Sequence, residues 1–354
     1  MTADAGPELR TADFDYALPP ELIAQEPPAD RGESRLLVAH RSPAGGEAMP
    51  ALEDRRFTEL PSLVPPGDLL VLNSTRVRHA RLLGTRPSGA PAEVLLLHPM
   101  AGDTWLAMGK PGSALRPGRP IRLGDDAEIE TVEVRGDGHR VVRFVGLDAA
   151  AAIARYGRLP LPPYIDRPPT ERDEARYQTV YAAREGSVAA PTAGLHFTPA
   201  ILAEIERRGT TVVRLDLEIG PGTFKPVAGD SPADHPMHEE RYEIPGAVAD
   251  AVRATRERGG RVWAAGTTVV RALESAADSA GRVRAGTGAT RLLILPGYQF
   301  RVVDHLLTNF HLPRSTLLML VSALLGREQT LAAYRHAVDG RYRFYSYGDA
   351  MVVV

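Results

Sequence analysis

Between Asp68 and about residue 147, apolar residues come in short runs rather than in helical stripes. Asp68-Leu-Leu-Val-Leu72 is apolar without alternation, the pattern of a strand buried on both faces. Ala92–Leu97, Thr104–Met108, Pro120–Leu123, Glu128–Val134 and Arg140–Val145 follow, with turn residues between them. Gly136-Asp137-Gly138 joins the last two as a hairpin. Short strands at this spacing predict a small antiparallel β-barrel.

After residue 150 the period changes. Thr198-Pro199 supplies a cap and a proline at the first helical position, and predicts a helix running to Arg208-Gly209. A strand over 211–218, a helix over 247–258, a strand over 261–265 and a helix over about 267–277 come next. Ser315 caps an apolar helix ending near Gly326, and a last helix covers about 328–338. Strand and helix in alternation imply a mostly parallel sheet. The predicted fold is therefore α/β: a mostly parallel α/β body, residues 1–72 and 149–354, with an inserted small antiparallel β-barrel domain, residues 73–148. Residues 1–66 mix proline-rich turns with short apolar runs.

Composition narrows function more than fold. At 354 residues, 44% hydrophobic and 24% charged, the chain reads as an ordinary soluble protein. No run reaches the roughly 18 apolar residues of a membrane helix, so no membrane partner is expected. Met1–Tyr16 carries Asp4, Glu8, Asp13 and Asp15 and does not read as a signal peptide, which makes the cytoplasm the expected location. Cysteine is absent, which excludes disulfides, thiolate metal sites and cysteine nucleophiles. With a net charge of −2, a polyanion must meet a local patch, and Arg76-Val-Arg78-His79-Ala-Arg81, followed by Arg86, is the candidate. Only Lys110 and Lys225 are lysines, so clamps on phosphate or carboxylate fall to arginine.

Several segments carry candidate chemistry. Leu307–Leu317 and Arg341–Met351 crowd polar, aromatic and charged side chains beside apolar helix, with no regular period. Buried amide, imidazole and carboxylate groups are costly without partners, so such runs mark a site. Ala265-Gly266-Thr267-Thr268, ahead of Arg271, fits an anion at a helix N-terminus or a plain cap. Ala190–Phe197 precedes a helix where α/β folds bind ligands, although His196 equally fits a core histidine. Asp234-His235-Pro236-Met237-His238-Glu239-Glu240 suggests a metal, but His-x-x-His is not the helical His-x-x-x-His pair and Pro236 breaks a helix. Acid–base work or a loop network fits that segment better, and no metal is expected. The phosphate-loop, dinucleotide and Gly-x-Ser-x-Gly signatures are all missing.

Taken in order, these segments resemble the S-adenosylmethionine:tRNA ribosyltransferase-isomerase family of queuosine biosynthesis. The resemblance is carried by Phe14–Pro19, Leu22–Gln25, Asp68–Val77, Leu161–Ile165, Tyr177–Ala182, Ala190–Phe197, Gly222-Thr223-Phe224, Met237-His238, Gly266-Thr267-Thr268, Thr308–Thr316 and Arg343–Met351. It implies an α/β domain with an inserted β-barrel. It implies a reaction in which the ribosyl part of S-adenosylmethionine goes to 7-aminomethyl-7-deazaguanine at the tRNA wobble position. Epoxyqueuosine forms, and adenine and methionine leave. The implied catalytic residues are His196, His238, Glu240, His311 and Asp349, with individual roles left open. The implied co-substrate contacts are Thr192, Gly194, Thr223, Phe224, Thr267, Thr268, Arg271, Asn309, Ser315 and Tyr347, with Arg271 or Arg314 suited to the methionine carboxylate. Asn73, Arg76, Arg78 and Arg81 are the implied tRNA contacts, and a monomer is expected. Departures from the family pattern are His79 for a usual proline, Glu218 for a histidine and Arg241 at an aromatic position. Two alternatives stay open: a ribosyl-transferring or adenine-releasing enzyme with another acceptor, and a non-catalytic tRNA-binding protein.

The arginine patch makes a test at this level. Replacing Arg78 and Arg86 with glutamine is expected to flatten the salt dependence of tRNA binding, by about one unit of slope for each phosphate no longer neutralised. An unchanged slope would place the RNA contacts on other arginines.

Overall fold

In a computed structural model of the chain, residues 9–41, 49–224, 227 and 229–354 are described, without the side chains of Thr223 and Phe224. Lys225 lies outside the described residues. At the centre of the molecule, Leu69 and Val71 point into one apolar cluster while Leu70 and Leu72 point into another. Val262 and Ala264 alternate with Trp263 and Ala265 in the same way. Residues two apart on a strand share a face, so a strand covered on both sides needs an unbroken apolar run.

These strands belong to a nine-stranded sheet. Its order is Gly286–Thr290, Glu240–Ile244, Thr211–Leu217, Leu69–Asn73, Val262–Ala265, His305–Asn309, Ala350–Val353, Arg35–His40 and Ala51–Arg56. The expectation of a mostly parallel sheet needs correction. Pairings divide evenly between parallel, which include the four central strands, and antiparallel. One crossover helix between two strands keeps them parallel. Between His305–Asn309 and Ala350–Val353 stand two helices, Thr316–Leu325 and Arg327–Asp339, and the later strand runs back against the earlier one. Three further helices match the sequence prediction within a residue or two, Pro199–Arg207, Gly246–Glu257 and Thr267–Ala276, while Leu60–Leu63, Ala149–Tyr156 and Glu171–Arg176 are helices with no counterpart in that prediction. Thr198 and Ser315 cap their helices through side-chain oxygens.

A second sheet holds seven strands, all antiparallel, drawn from residues 81–158. Thr85 also pairs with Arg122, which brings Arg81–Thr85 beside Ile121–Arg122. Its own apolar cluster includes Leu82, Val94, Leu96, Leu115, Ile121, Ile129 and Val142. Thr75–Val77 pairs with Arg184–Ser187 as a two-stranded piece between the two sheets.

The N-terminal segment holds more order than its prolines suggest. Arg35–His40 is an inner strand with Leu36, Leu37, Val38 and Ala39 buried. Its run of four apolar residues is short, and its partners are Ala350–Val353 and Ala51–Arg56.

Asn73 closes the strand Leu69–Asn73 and is fully buried. Its Oδ1 accepts from the backbone N–H groups of Thr75 and Leu217, each at 3.1 Å. Its Nδ2 donates to the Leu217 carbonyl at 3.0 Å and to Thr268 Oγ1 at 3.4 Å. One amide thus ties together the ends of two parallel strands and the start of a helix. Asn73→Ala strands two buried N–H groups, and should lower unfolding stability by about 2–4 kcal/mol. Urea unfolding of the variant measures this, and a loss below about 1 kcal/mol would mean that the strand ends are held by other contacts.

Candidate active site

The carboxyl ends of the central strands open onto one cleft, as expected for α/β sheets. Ile219 follows Thr211–Leu217, Gly266-Thr267-Thr268 follow Val262–Ala265, and Thr308, Asn309, Phe310 and His311 end or follow His305–Asn309. Thr192, Ala193 and Ser315 add to its wall, and Tyr164, Tyr345 and Ser346 complete it. Gly266 adopts φ +102°, which a side chain would strain, and this turn aims the helix Thr267–Ala276 at the cleft.

The two buried histidines of the site sit in different settings. His196 shares hydrogen bonds with Ser34 Oγ at 2.8 Å through Nδ1 and with Asn309 Nδ2 at 3.1 Å through Nε2. Its ring also lies 5.1 Å from that of Phe57. Both nitrogens are engaged, so His196 works behind the cleft wall. His311 lines the cleft and bonds Thr308 Oγ1 at 2.7 Å through Nε2. Burial is the main cause that pushes both imidazoles down to about 3, with the charge of Arg31 adding at His196 and that of Arg271 at His311.

Asn309 connects these groups. Its Nδ2 also donates to the Tyr345 carbonyl at 3.0 Å. Tyr345 holds φ +70°, rare for a non-glycine residue, and its ring lies 4.6 Å from that of Tyr164. The Tyr164 hydroxyl meets Ser346 Oγ.

Glu240 and Arg271 face an adjoining pocket with His235, Met237 and His238, and Leu317 borders both spaces. The Arg271 guanidinium donates to Glu240 Oε2 at 2.8 and 2.6 Å, and both residues are buried. Such a pair holds its place because removing either partner leaves a buried charge. Arg314, the other candidate carboxylate clamp, is committed to Asp15. His238 packs edge-on against His139 of the second sheet, with ring centroids 5.9 Å apart. Among the described residues no cluster of three or more His, Asp or Glu side chains is arranged to hold a metal ion.

Most other candidate residues stand apart from the cleft. Asp349 accepts from the backbone N–H groups of Arg35 at 2.9 Å and Arg343 at 2.8 Å, so it holds the loop that carries Tyr345. Burial pushes its carboxyl up. Tyr347 donates to the buried Asp173 at 2.7 Å. Gly194 is required by packing, because a Cβ there would run into the Tyr181 hydroxyl and Thr179. Ser315 caps its helix from the cleft rim. The side chains of Thr223 and Phe224 lie outside the described set. Asn73 is saturated by its strand-end bonds. Of the arginines, Arg81 pairs with Glu93 at 2.7 Å, Arg76 is exposed, and Arg78 lies over the Trp105 ring at 4.9 Å. Arg78, His79 and Trp105 line a groove beside the second sheet together with Asp103, Asp148, Glu174 and Glu185, and His79 Nε2 meets Glu174 at 2.7 Å. The sequence does not single out Tyr164, Tyr345 and Ser346 as site residues. Their motifs carry the family resemblance, but nothing local to the sequence marks the left-handed backbone at Tyr345.

Comparison with known proteins decides the family. The profile of a family described as "Queuosine biosynthesis protein" matches residues 11–353. The chain belongs to this family. A relative from Anaeromyxobacter sp. (strain Fw109-5), named S-adenosylmethionine:tRNA ribosyltransferase-isomerase, is 52% identical over 351 residues, 98% of this chain and 99% of that one. One of the same name from Thiobacillus denitrificans (strain ATCC 25259 / T1) is 52% identical and covers 97% of each chain. A crystal structure of S-adenosylmethionine tRNA ribosyltransferase from Thermotoga maritima matches with a TM-score of 0.55 and 35% identity. It covers 97% of this chain and 100% of that one. The histidine cleft is thus a feature of a queuosine biosynthesis protein of ordinary family length.

Histidine burial makes a pH prediction. Folded His311 refuses a proton that the unfolded chain binds below about 6.5, so its contribution to stability is full above that pH and falls as the pH drops toward 3. The wild type should lose about 2 kcal/mol relative to His311→Gln between pH 7 and pH 5. Urea unfolding of both proteins at the two pH values measures it, and parallel pH profiles would contradict a neutral buried imidazole.

Proposed function

We propose that this chain transfers and isomerises the ribosyl part of S-adenosylmethionine onto 7-aminomethyl-7-deazaguanine at the wobble position of tRNA. Epoxyqueuosine-tRNA forms, and adenine and methionine are released. The observation that carries the reading is a neutral histidine, His311, in a cleft at the strand ends of a chain that matches this family over residues 11–353. The sulfonium of S-adenosylmethionine acidifies its neighbouring 5′ carbon, and a base must take that proton. His311 is the base in this reading: it lines the cleft uncharged, and the Thr308 hydroxyl fixes the ring through Nε2, although the burial that keeps it neutral also weakens it as a base. His196 and Asp349 are positioning residues, the first acting on Asn309 and the second on the Tyr345 loop.

The co-substrate is read into the cleft, beside Thr192, Thr267, Thr268 and Asn309. tRNA is read onto the groove of Arg78, His79 and Trp105, with Arg76 exposed nearby. Arginine stacked on tryptophan presents both a cation and a flat face to RNA. The seven-stranded sheet is read as a barrel inserted at residues 73–148, supported by the Thr85–Arg122 pairing. The reading places the enzyme in the cytoplasm with its tRNA, as a monomer.

Incubation with S-adenosylmethionine and tRNA carrying the precursor base tests the whole reading. Adenine release is expected with that tRNA; release only with another acceptor, or tRNA binding without release, would overturn it. His311→Gln should lower the rate of adenine release by roughly 10²–10⁴-fold. A rate within threefold of wild type would remove His311 from the proton transfer.

A further inference from the structure

Asn309 holds a buried acceptor that the protein itself does not use. Its Nδ2 faces His196 Nε2 at 3.1 Å, the Tyr345 carbonyl at 3.0 Å and the Asp349 carbonyl at 3.5 Å. An oxygen in that position would face two other acceptors, so the hydrogen bonds fix which end of the amide is nitrogen. Oδ1 therefore points away from both carbonyls. It is buried and has no hydrogen-bond partner among the described residues, in a side chain that lines the cleft. Native proteins rarely leave such an oxygen without a donor.

A second observation falls on the same wall. Tyr345, gripped by that amide, keeps its left-handed backbone at φ +70° and sets its ring 4.6 Å from that of Tyr164. Strain of this kind persists where the surroundings enforce it, and it clusters at ligand clamps. The wall thus combines one neutral acceptor with aromatic rings.

The charge of the cleft selects among donors. Its described lining residues include no Asp, Glu, Lys or Arg, and its one ionisable imidazole, His311, is uncharged. An ammonium donating to this oxygen would be stripped of water with no carboxylate in contact, which is costly. A neutral, flat group with an N–H donor fits instead, and an aminopurine has that chemistry.

Building on the ribosyl-transfer reading, we propose that Asn309 Oδ1 accepts a hydrogen bond from the exocyclic amine of the adenine of S-adenosylmethionine, with Tyr164 and Tyr345 forming the wall beside the ring. Asn309 then selects the purine that the reaction releases. A 6-oxopurine presents an acceptor to this acceptor and is rejected.

The test compares nucleosides on the intact protein. Calorimetry with 5′-methylthioadenosine and 5′-methylthioinosine should show the inosine compound binding roughly 10- to 100-fold more weakly to wild type. In Asn309→Ala that ratio should fall toward one, even where overall binding weakens. Asn309→Ser serves the same purpose if the alanine variant does not fold. S-adenosylhomocysteine and its analogue lacking the α-amine form a control pair, whose affinity ratio should be the same in wild type and variant. A wild-type adenosine-to-inosine ratio near one, or a large ratio that survives the substitution, would overturn the assignment. So would a variant that erases only the α-amine preference, because Asn309 would then read the ammonium. Adenine release from S-adenosylmethionine with precursor tRNA is assayed separately. Failure there with the purine ratio intact would remove the reaction but keep the subsite.

Discussion

Polar groups at the ends of doubly buried strands have no water to turn to, and the site takes its shape from that constraint. Leu69–Asn73, Val262–Ala265 and His305–Asn309 are covered on both faces by separate apolar clusters. Where they end, the backbone must leave the sheet while still buried. Asn73 solves this on one side by bonding Leu217 and Thr75. Asn309 solves it on the other by holding the Tyr345 carbonyl and His196. Each amide serves several groups at once, so the strand ends, the helix Thr267–Ala276 and the Tyr345 loop are mutually fixed.

The histidines show how environment divides one residue type into different tasks. His196 and His311 are both buried and both held neutral. His196 has both nitrogens engaged and stabilises an arrangement. His311 lines the cleft, with its Nε2 bonded to Thr308. Burial alone therefore does not separate the two imidazoles; position does, one behind the cleft wall and one on its lining.

Charge is distributed with similar economy. Arg271 and Arg314 are committed to Glu240 and Asp15, leaving the described cleft lining without an arginine. Arg78 lies over Trp105 in a groove beside the second sheet that also carries Asp103, Asp148, Glu174 and Glu185.

Much of this was legible in the sequence for local reasons. Caps such as Thr198 and Ser315, the Gly138 hairpin and the unbroken run Leu69–Leu72 specify their elements from neighbouring residues alone. Ala190–Phe197 reads as a small-residue loop ahead of a helix and Thr308–Thr316 as a crowded polar run, and Ala190–Ala193, Thr308–Leu312 and Ser315 do meet at the cleft. What the sequence left open depends on partners far along the chain. Arg35–His40 becomes an inner strand only because Ala350–Val353 lies beside it. Ala350–Val353 runs antiparallel to His305–Asn309 after two helices rather than one, and three further antiparallel pairings make the sheet mixed. Arg271 has the chemistry of a ligand clamp, but Glu240, distant in sequence, occupies it. Tyr345 enters the site with a left-handed backbone, its carbonyl bonded by the Asn309 amide and its N–H by the Phe310 carbonyl. Local sequence decides which elements form; long-range hydrogen bonding and burial decide which polar groups are already partnered and which remain to meet a ligand.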